Sequence, residues 1–389
     1  MKKILSLLAA AAVLAGVAGT GLDARAKEDK KKDKESSDSV KTENGYADFI
    51  KKKPETHKGF ITVHKLKGKV YLEFPLVLQE RDMLLGSTVS EVSDNGDALI
   101  GSKPSDPLHV TFRKIGEKMN LVKVSKDFVT DSDRPEVKEA LDKNSAGVII
   151  KSFDIDSYTP DSSAVVFDVT DYFVSDVKEM RPFDEWSVNT YMGRAKRNPV
   201  YKSDKSFLGD VKAFSDNISI KSTLSYTYSI TYSGRTLAED VPFSALMTRS
   251  LILLDEEPCR PRYTDSRIGI FPTGKYLFSE KAQKSEIVYY AHRWRLEPSD
   301  TTAYLRGELV EPVKPIVFYI DPAFPAEWQP AIYAAVDEWQ EPFERLGFKK
   351  AIMAKPYPTD DPEFDPDNIR YSCIRYSPVP IENAMGPSW

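Results

Sequence analysis

The chain has 389 residues, enough for two or three domains with real cores, which excludes a small scaffold stapled by disulfides. Hydrophobic residues make up 41% and charged residues 29%, so wholesale disorder is excluded as well. A formal net charge of -5, with no strongly basic region, removes any electrostatic support for nucleic-acid binding.

Lys2 and Lys3 precede an apolar run from Ile4 to Gly19, and the following Ala24-Arg25-Ala26 is an A-x-A cleavage site. This pattern marks residues 1–26 as a secretory signal peptide. The run is shorter than the ~20 residues a helical span needs, and no later segment reaches that length. The mature chain is therefore expected to be periplasmic or extracellular, without a transmembrane segment. Residues 27–44, KEDKKKDKESSDSVKTEN, are charged or small and polar, so they read as a disordered tether.

Folded structure is expected from Tyr46 onward. GFITVHKL and KVYLEF flank Lys67-Gly68 as a hairpin, and LHVTFRKI and MNLVKV bracket Gly116-Glu117 in the same way. Pro135 opens a short helix through Leu141, with Asp133 as its N-cap. Ile218, Ile220, Leu224, Tyr226, Tyr228, Ile230 and Tyr232 keep a period of two, predicting a long half-buried strand bent near Ser222. A further strand is expected over Phe243 to Leu254. These signals give a small β domain over residues 45–95 and a larger β-rich, antiparallel domain over 96–300.

The pattern changes after Pro315. IVFYID reads as a buried strand, and Trp328, Ile332, Val336, Trp339, Phe343 and Leu346 follow at intervals of 4, 4, 3, 4 and 3. Those intervals place six apolar residues on one helical face, with Gly347 as the stop and Pro342 as a kink. Ala351-Ile352-Met353 and Ile369 to Tyr376 read as further strands around the acidic loop TDDPEFDPDN. One helix covers one face of such a sheet and leaves the other without a cover, so residues 301–389 read as the start of a larger α/β domain. The expected fold class is α+β, the chain being an N-terminal piece of a longer protein.

Candidate chemistry is sparse. His57 and His64 stand seven apart, and as a metal pair they need a third ligand supplied by the fold; the plain reading is solvated strand histidines. His109 and His292 have no acidic or nucleophilic motif around them. Asp360, Asp361, Glu363, Asp365 and Asp367 can offer oxygen ligands to Ca²⁺, but they miss the EF-hand spacing, and a solvated turn is the alternative. Arg260, Arg262 and Arg267 around Asp265 suit either an intradomain ion-pair lock or a clasp on a carboxylate partner. Cys259 and Cys373 form one bridge or stay as two free thiols.

The segments KPIVFYIDPAFPAEWQPAIYAAVDEWQEPFERLGFKKAI, DPEFDPDNIRYSCIRY and NAMGPSW resemble the opening of the catalytic domain in a family of large secreted bacterial zinc metallopeptidases of metzincin-like type. In that family two domains of unknown function precede the peptidase domain, and GDVKAFSDNISI, PCRPRYTDSRIGIF and HRWRLEP look like landmarks in and just after the second. The resemblance implies a truncated start of an α/β catalytic domain over 301–389, with a peptide or protein substrate and Zn²⁺ in the complete protein. The family's HExxHxxGxxH motif is missing, and this chain holds no zinc ligands and no catalytic residue. By the same resemblance Ala384, Met385 and Gly386 fall at the rim of a substrate cleft, and Cys259 is a candidate latency thiol for the zinc. The alternative is a non-catalytic secreted β-rich binding module of the cell envelope. Nothing in the sequence sets an oligomeric state.

Overall fold

The computed structural model describes residues 45–96, 98–183, 186–187 and 195–378. The segments expected as signal peptide (1–26) and tether (27–44), and Ala384, Met385 and Gly386, expected at a cleft rim, lie outside the described residues.

Helix α1 (45–51) packs on a meander of β1 (Glu55–His57), β2 (Thr62–Leu66) and β3 (Lys69–Pro75). Lys67 and Gly68 both take positive φ, 51° and 78°, in the primed two-residue turn that matches strand twist. β4 (Met83–Val92) leads to the predicted hairpin of β5 (Leu108–Ile115) and β6 (Lys118–Lys123). β7 (Phe128–Thr130) and helix α2 (Pro135–Asn144) follow. The N-cap of α2 falls on Arg134 without a side-chain bond, correcting Asp133, and Pro135 supplies the fixed φ that starts the helix. Next come β8 (Val148–Tyr158), β9 (Ala164–Asp168), the single-turn α3 (Thr170–Phe173), β10 (Trp186–Ser187), β11 (Ala195–Tyr201) and β12 (Phe207–Ala213).

The period-two run becomes β13 (Asn217–Tyr232), and β14 (Arg235–Leu253) returns beside it. Ser233 and Gly234, at φ 48° and 77°, make the turn. β14 starts eight residues before the predicted Phe243, because pairing with β13 carries the polar stretch that its own alternation does not announce. The expected bend at Ser222 is corrected too. The register shifts of this hairpin fall between Tyr228 and Thr231, while Ser222 is fully buried and donates to Phe173 O at 2.8 Å.

These strands form one 13-stranded sheet in the order β1-β2-β3-β9-β8-β6-β5-β4-β14-β13-β11-β10, with β12 also on β13, and every pairing is antiparallel. The β-rich, mostly antiparallel architecture is therefore present, and it runs as one sheet through both segments expected as separate domains. Its β1–β2 end approaches β12: Phe60 N donates to Phe214 O at 2.9 Å and Lys65 Nζ to Gly209 O at 2.7 Å. This curl encloses a core to which β2, β3, β5, β9, β13 and β14 all contribute, including Val63, Phe74, Phe112, Phe167, Ile220 and Leu251, and a second cluster around Phe183, Tyr226 and Phe243 packs on β4, β13 and β14. Gly59 makes the approach possible, since a Cβ there would lie 2.3 Å from Phe214 O. Gly59→Ala is expected to lower stability by about 1–3 kcal/mol in urea unfolding, and a variant as stable as the parent would show that the closure is loose.

β15 (Pro272–Phe278) and β16 (Glu286–Ala291) join β7 in a small second sheet, and helix α4 (Thr301–Leu305) follows with Asp300 as its N-cap. The third sheet is parallel, in the order β18-β17-β19, built from β17 (Ile316–Ile320), β18 (Ile352–Pro356) and β19 (Ser372–Ile374). Between β17 and β18 the predicted single helix is two, α5 (Gln329–Asp337) and α6 (Gln340–Arg345). The break at Glu338-Trp339 lies four residues before Pro342, whose ring crowds the carbonyl at that distance; Pro342 itself sits in the first turn of α6, where no intrahelical donor is needed. The break splits the predicted apolar face. Val336 and Phe343 pack on Ile316 and Ile352, whereas Trp339 and Leu346 are 60% and 61% exposed. Gly347, at φ 92°, ends α6 as predicted: its N–H bonds Glu344 O and that of Phe348 bonds Phe343 O.

The opposite face of the parallel sheet is not bare, which corrects the expectation of a missing cover. The loop between β18 and β19 folds beneath it, and Phe364 and Tyr371 pack on Tyr319 at ring separations of 5.4 and 5.5 Å, with Tyr357 against Phe364 at 4.8 Å.

Candidate functional site at the seam between the sheets

The predicted site residues are scattered. The register pairs Thr56 with His64, so His57 projects from the opposite face of the sheet and the two histidines never converge. His57 Nε2 lies 3.1 Å from Glu55. His64 is buried between Thr56 Oγ1, 2.8 Å from Nδ1, and Glu73 Oε2, 3.0 Å from Nε2, and Tyr46 OH donates to the same Glu73 oxygen at 2.9 Å. The hydrogen bond from His64 holds the Glu73 carboxyl below its usual range against the effect of burial, and burial with Glu73 pushes the Tyr46 phenol up to about 12. These contacts fasten α1 to the sheet. His109 bonds Asp82 at 2.9 Å and His292 bonds Thr273 at 2.6 Å.

Of the three arginines around Asp265, only Arg267 reaches it, through Nε at 2.8 Å. Arg260 and Arg262 are exposed. Cys259 and Cys373 are both free thiols and half-buried, Cys259 in the loop after β14 and Cys373 in β19, where burial pushes the thiol up.

Asp360, Pro362, Glu363 and Pro366 of the acidic loop are exposed, while its inner carboxylates converge on the antiparallel sheet. Asp365 and Asp367 turn away from bulk water onto two lysines of the antiparallel sheet. Lys212 Nζ in β12 lies 2.7 Å from Asp365 Oδ2 and 3.0 Å from Asp367 Oδ2, and Lys221 Nζ in β13 lies 3.0 Å from the same Asp367 oxygen. Burial pushes the Asp367 carboxyl up, but the two ammonium groups outweigh it and leave it below its usual value. Buried Asn217, at the start of β13, reads the loop backbone: Nδ2 donates to Asp367 O and Oδ1 accepts from Ile369 N, each at 2.9 Å. Arg370 adds an ion pair to Asp216 at 3.0 Å. The outer residues stay local, Asp361 accepting from Tyr371 OH at 2.8 Å and from Glu363 N at 2.9 Å.

A cleft of about 370 Å³ opens along this seam. Lys212, Lys221, Asp365 and Asp367 line one side, the outer end of β4 with Glu91 another, and Arg375 and Ser377, just past β19, close it. Arg375 is exposed and makes no ion pair among the described residues, and Ser377 Oγ is buried without a hydrogen-bond partner. Sequence reading singled out Asp365 and Asp367 but missed Lys212, Lys221, Asn217, Arg375 and Ser377, because a lysine between apolar strand residues looks like any solvent-facing position. Among the described residues no group of three or more His, Cys, Asp and Glu side chains is placed to hold a metal, so they do not fit a zinc centre.

A family model described as a domain of unknown function, DUF5117, matches residues 101–299, half of the chain. The chain belongs to the DUF5117 family. A second domain of unknown function, DUF5118, matches residues 43–92. Among curated proteins and among solved structures, nothing matches the chain. The DUF5117 match contains Lys212, Asn217 and Lys221, the DUF5118 match contains Glu91, and Asp365, Asp367, Arg375 and Ser377 lie beyond both, so the cleft sits where the two matched regions meet the parallel-sheet unit. No helix among the described residues is long and apolar enough to cross a membrane.

Proposed function

We propose that residues 45–378 act as a non-catalytic β-rich binding module of an exported protein, and that this module serves a zinc-dependent peptidase. What carries the first part is the seam: a polar cleft with unused hydrogen-bonding groups on a curled antiparallel scaffold, with no metal-holding cluster beside it among the described residues. Export rests on the signal pattern of residues 1–26. The peptidase part rests on the resemblance of the segments from Lys314 onward to the opening of a metzincin-like catalytic domain. It is supported by the parallel unit in which the first strand, β17, is central and the outer edges of β18 and β19 pair with no strand among the described residues. On this reading the zinc ligands belong to sequence other than that described, and no step of hydrolysis is assigned to these residues.

A peptide-hydrolysis assay tests both parts. The 389-residue chain is expected to show no turnover with or without added zinc, while the natural gene product cleaves peptides, loses activity to a chelator and regains it with zinc. Reading the gene in frame past the Trp389 codon should then reveal HExxHxxGxxH. A gene product without that motif and without turnover would leave the self-contained envelope module as the function and end the peptidase reading; zinc-dependent turnover by the 389-residue chain alone would overturn the non-catalytic assignment.

A further inference from the structure

We infer that the seam cleft binds a short peptide through its C-terminal carboxylate, with Arg375 as the anchoring cation. The inference rests on the reading of the chain as a binding module serving a peptidase. Hydrogen-bond accounting carries it beyond that reading. Lys212 spends two of its three N–H donors on Asp365 and Asp367, and Lys221 engages Asp367 alone. Among the described residues Arg375 keeps its whole planar donor fork, and the Ser377 hydroxyl is buried without a hydrogen-bond partner. A buried hydroxyl without a partner is costly, and Ser377 Oγ can donate to an acceptor that also takes the Arg375 fork.

Charge narrows the ligand. The three cations Lys212, Lys221 and Arg375 face three carboxylates, Asp365, Asp367 and Glu91, so the lining is formally balanced. A dianion such as phosphate would meet that acidic lining with no surplus of positive charge to offset it. A carboxylate matches the Arg375 fork in bidentate geometry, and a zwitterionic peptide also offers an ammonium for Glu91, which makes no ion pair among the described residues. The volume, about 370 Å³, lies at the small-ligand end of the range for binding sites. The carboxyl ends of parallel strands, where Arg375 and Ser377 stand after β19, are the edge at which α/β sheets receive ligands.

The test is isothermal titration of the whole chain, without zinc, using tri-alanine, its C-terminal amide and inorganic phosphate as probes. Tri-alanine is expected to bind saturably, and the amide at least about tenfold more weakly, since it loses the charge-assisted fork. Phosphate is expected to give no saturable heat. Arg375→Ala should weaken tri-alanine by a similar factor, Arg375→Lys should recover part of the loss, and Ser377→Ala should weaken it by a smaller one. Equal affinity for acid and amide, no saturation by tri-alanine below ~10 mM, preferential uptake of phosphate, or an unaffected Arg375→Ala variant overturns the inference. Because the titration needs neither metal nor turnover, its failure is separable from failure of the peptidase reading, which the hydrolysis assay on the gene product decides.

Discussion

Replacing Arg249 with alanine is expected to destabilise the fold by about 3–5 kcal/mol, read as a lowered urea midpoint with an unchanged slope. Arg249 is fully buried in β14, and its guanidinium serves the end of α3: Nη1 donates to Tyr172 O at 2.8 Å and Nη2 to Ser175 O at 2.9 Å. The two carbonyls between them are taken by the sheet as well, Phe173 O by Ser222 Oγ at 2.8 Å and Val174 O by Tyr201 OH at 3.1 Å. Four successive carbonyls at a buried helix terminus, which the helix cannot satisfy itself, are thus each bonded by a side chain of β11, β13 or β14. Burial pulls the guanidinium down to about 10, which still leaves it charged at neutral pH. Truncation removes two charge-assisted bonds, leaves Ser175 O without its donor and Tyr172 O with only the Ser175 hydroxyl, and opens a cavity. Arg249→Met separates these costs, because it refills most of the space and removes a buried charge without restoring the guanidinium's bonds to the two carbonyls. It is expected to lose about half as much as Arg249→Ala. Equal stability of Arg249→Ala and the parent would mean that the end of α3 finds other donors.

Arg249 also shows what was legible in the sequence. Phe243, Ala245, Met247 and Leu251 alternate toward the core, and an arginine in the same phase is a visible sign of a buried cation with a dedicated task. The turn residues were equally readable: Lys67-Gly68 and Gly234 imposed hairpins because positive φ fixes the chain reversal before any tertiary contact. Pro342 announced a disturbed helix but not its place, since the ring acts four residues upstream. The seam was the illegible part. Lys212 stands 153 and 155 positions from the aspartates it binds, and no local pattern encodes a pairing made by the docking of the β18–β19 loop on β12 and β13. The cover under the parallel sheet was hidden likewise, because Phe364 looks like one aromatic residue in an acidic loop until the loop folds back on Tyr319.

Asp367→Ala is expected to loosen that seam selectively, at a cost of about 2–3 kcal/mol to the docking of the β18–β19 loop on β12 and β13. The Asp367 side chain is only 13% exposed, and one carboxylate oxygen holds both Lys212 and Lys221, so its removal leaves Lys221 without its ion pair. Hydrogen exchange should report the loss as faster exchange at Ile369 and Tyr371, while β3 and β9 keep their protection. The same contact makes the seam pH-dependent, with a sign fixed by the depressed Asp367 value. A carboxyl that titrates lower when docked than when free stabilises docking fully above its free value and gives that stabilisation up as pH falls through the docked value, so the seam should open below about pH 4. Asp367→Asn has no charge to lose. It should start from a weaker seam at neutral pH and show a flatter acid dependence, whereas protection at Ile369 that stays constant in the parent from about pH 7 to pH 3 would show that the two lysines do not hold the loop through this carboxylate.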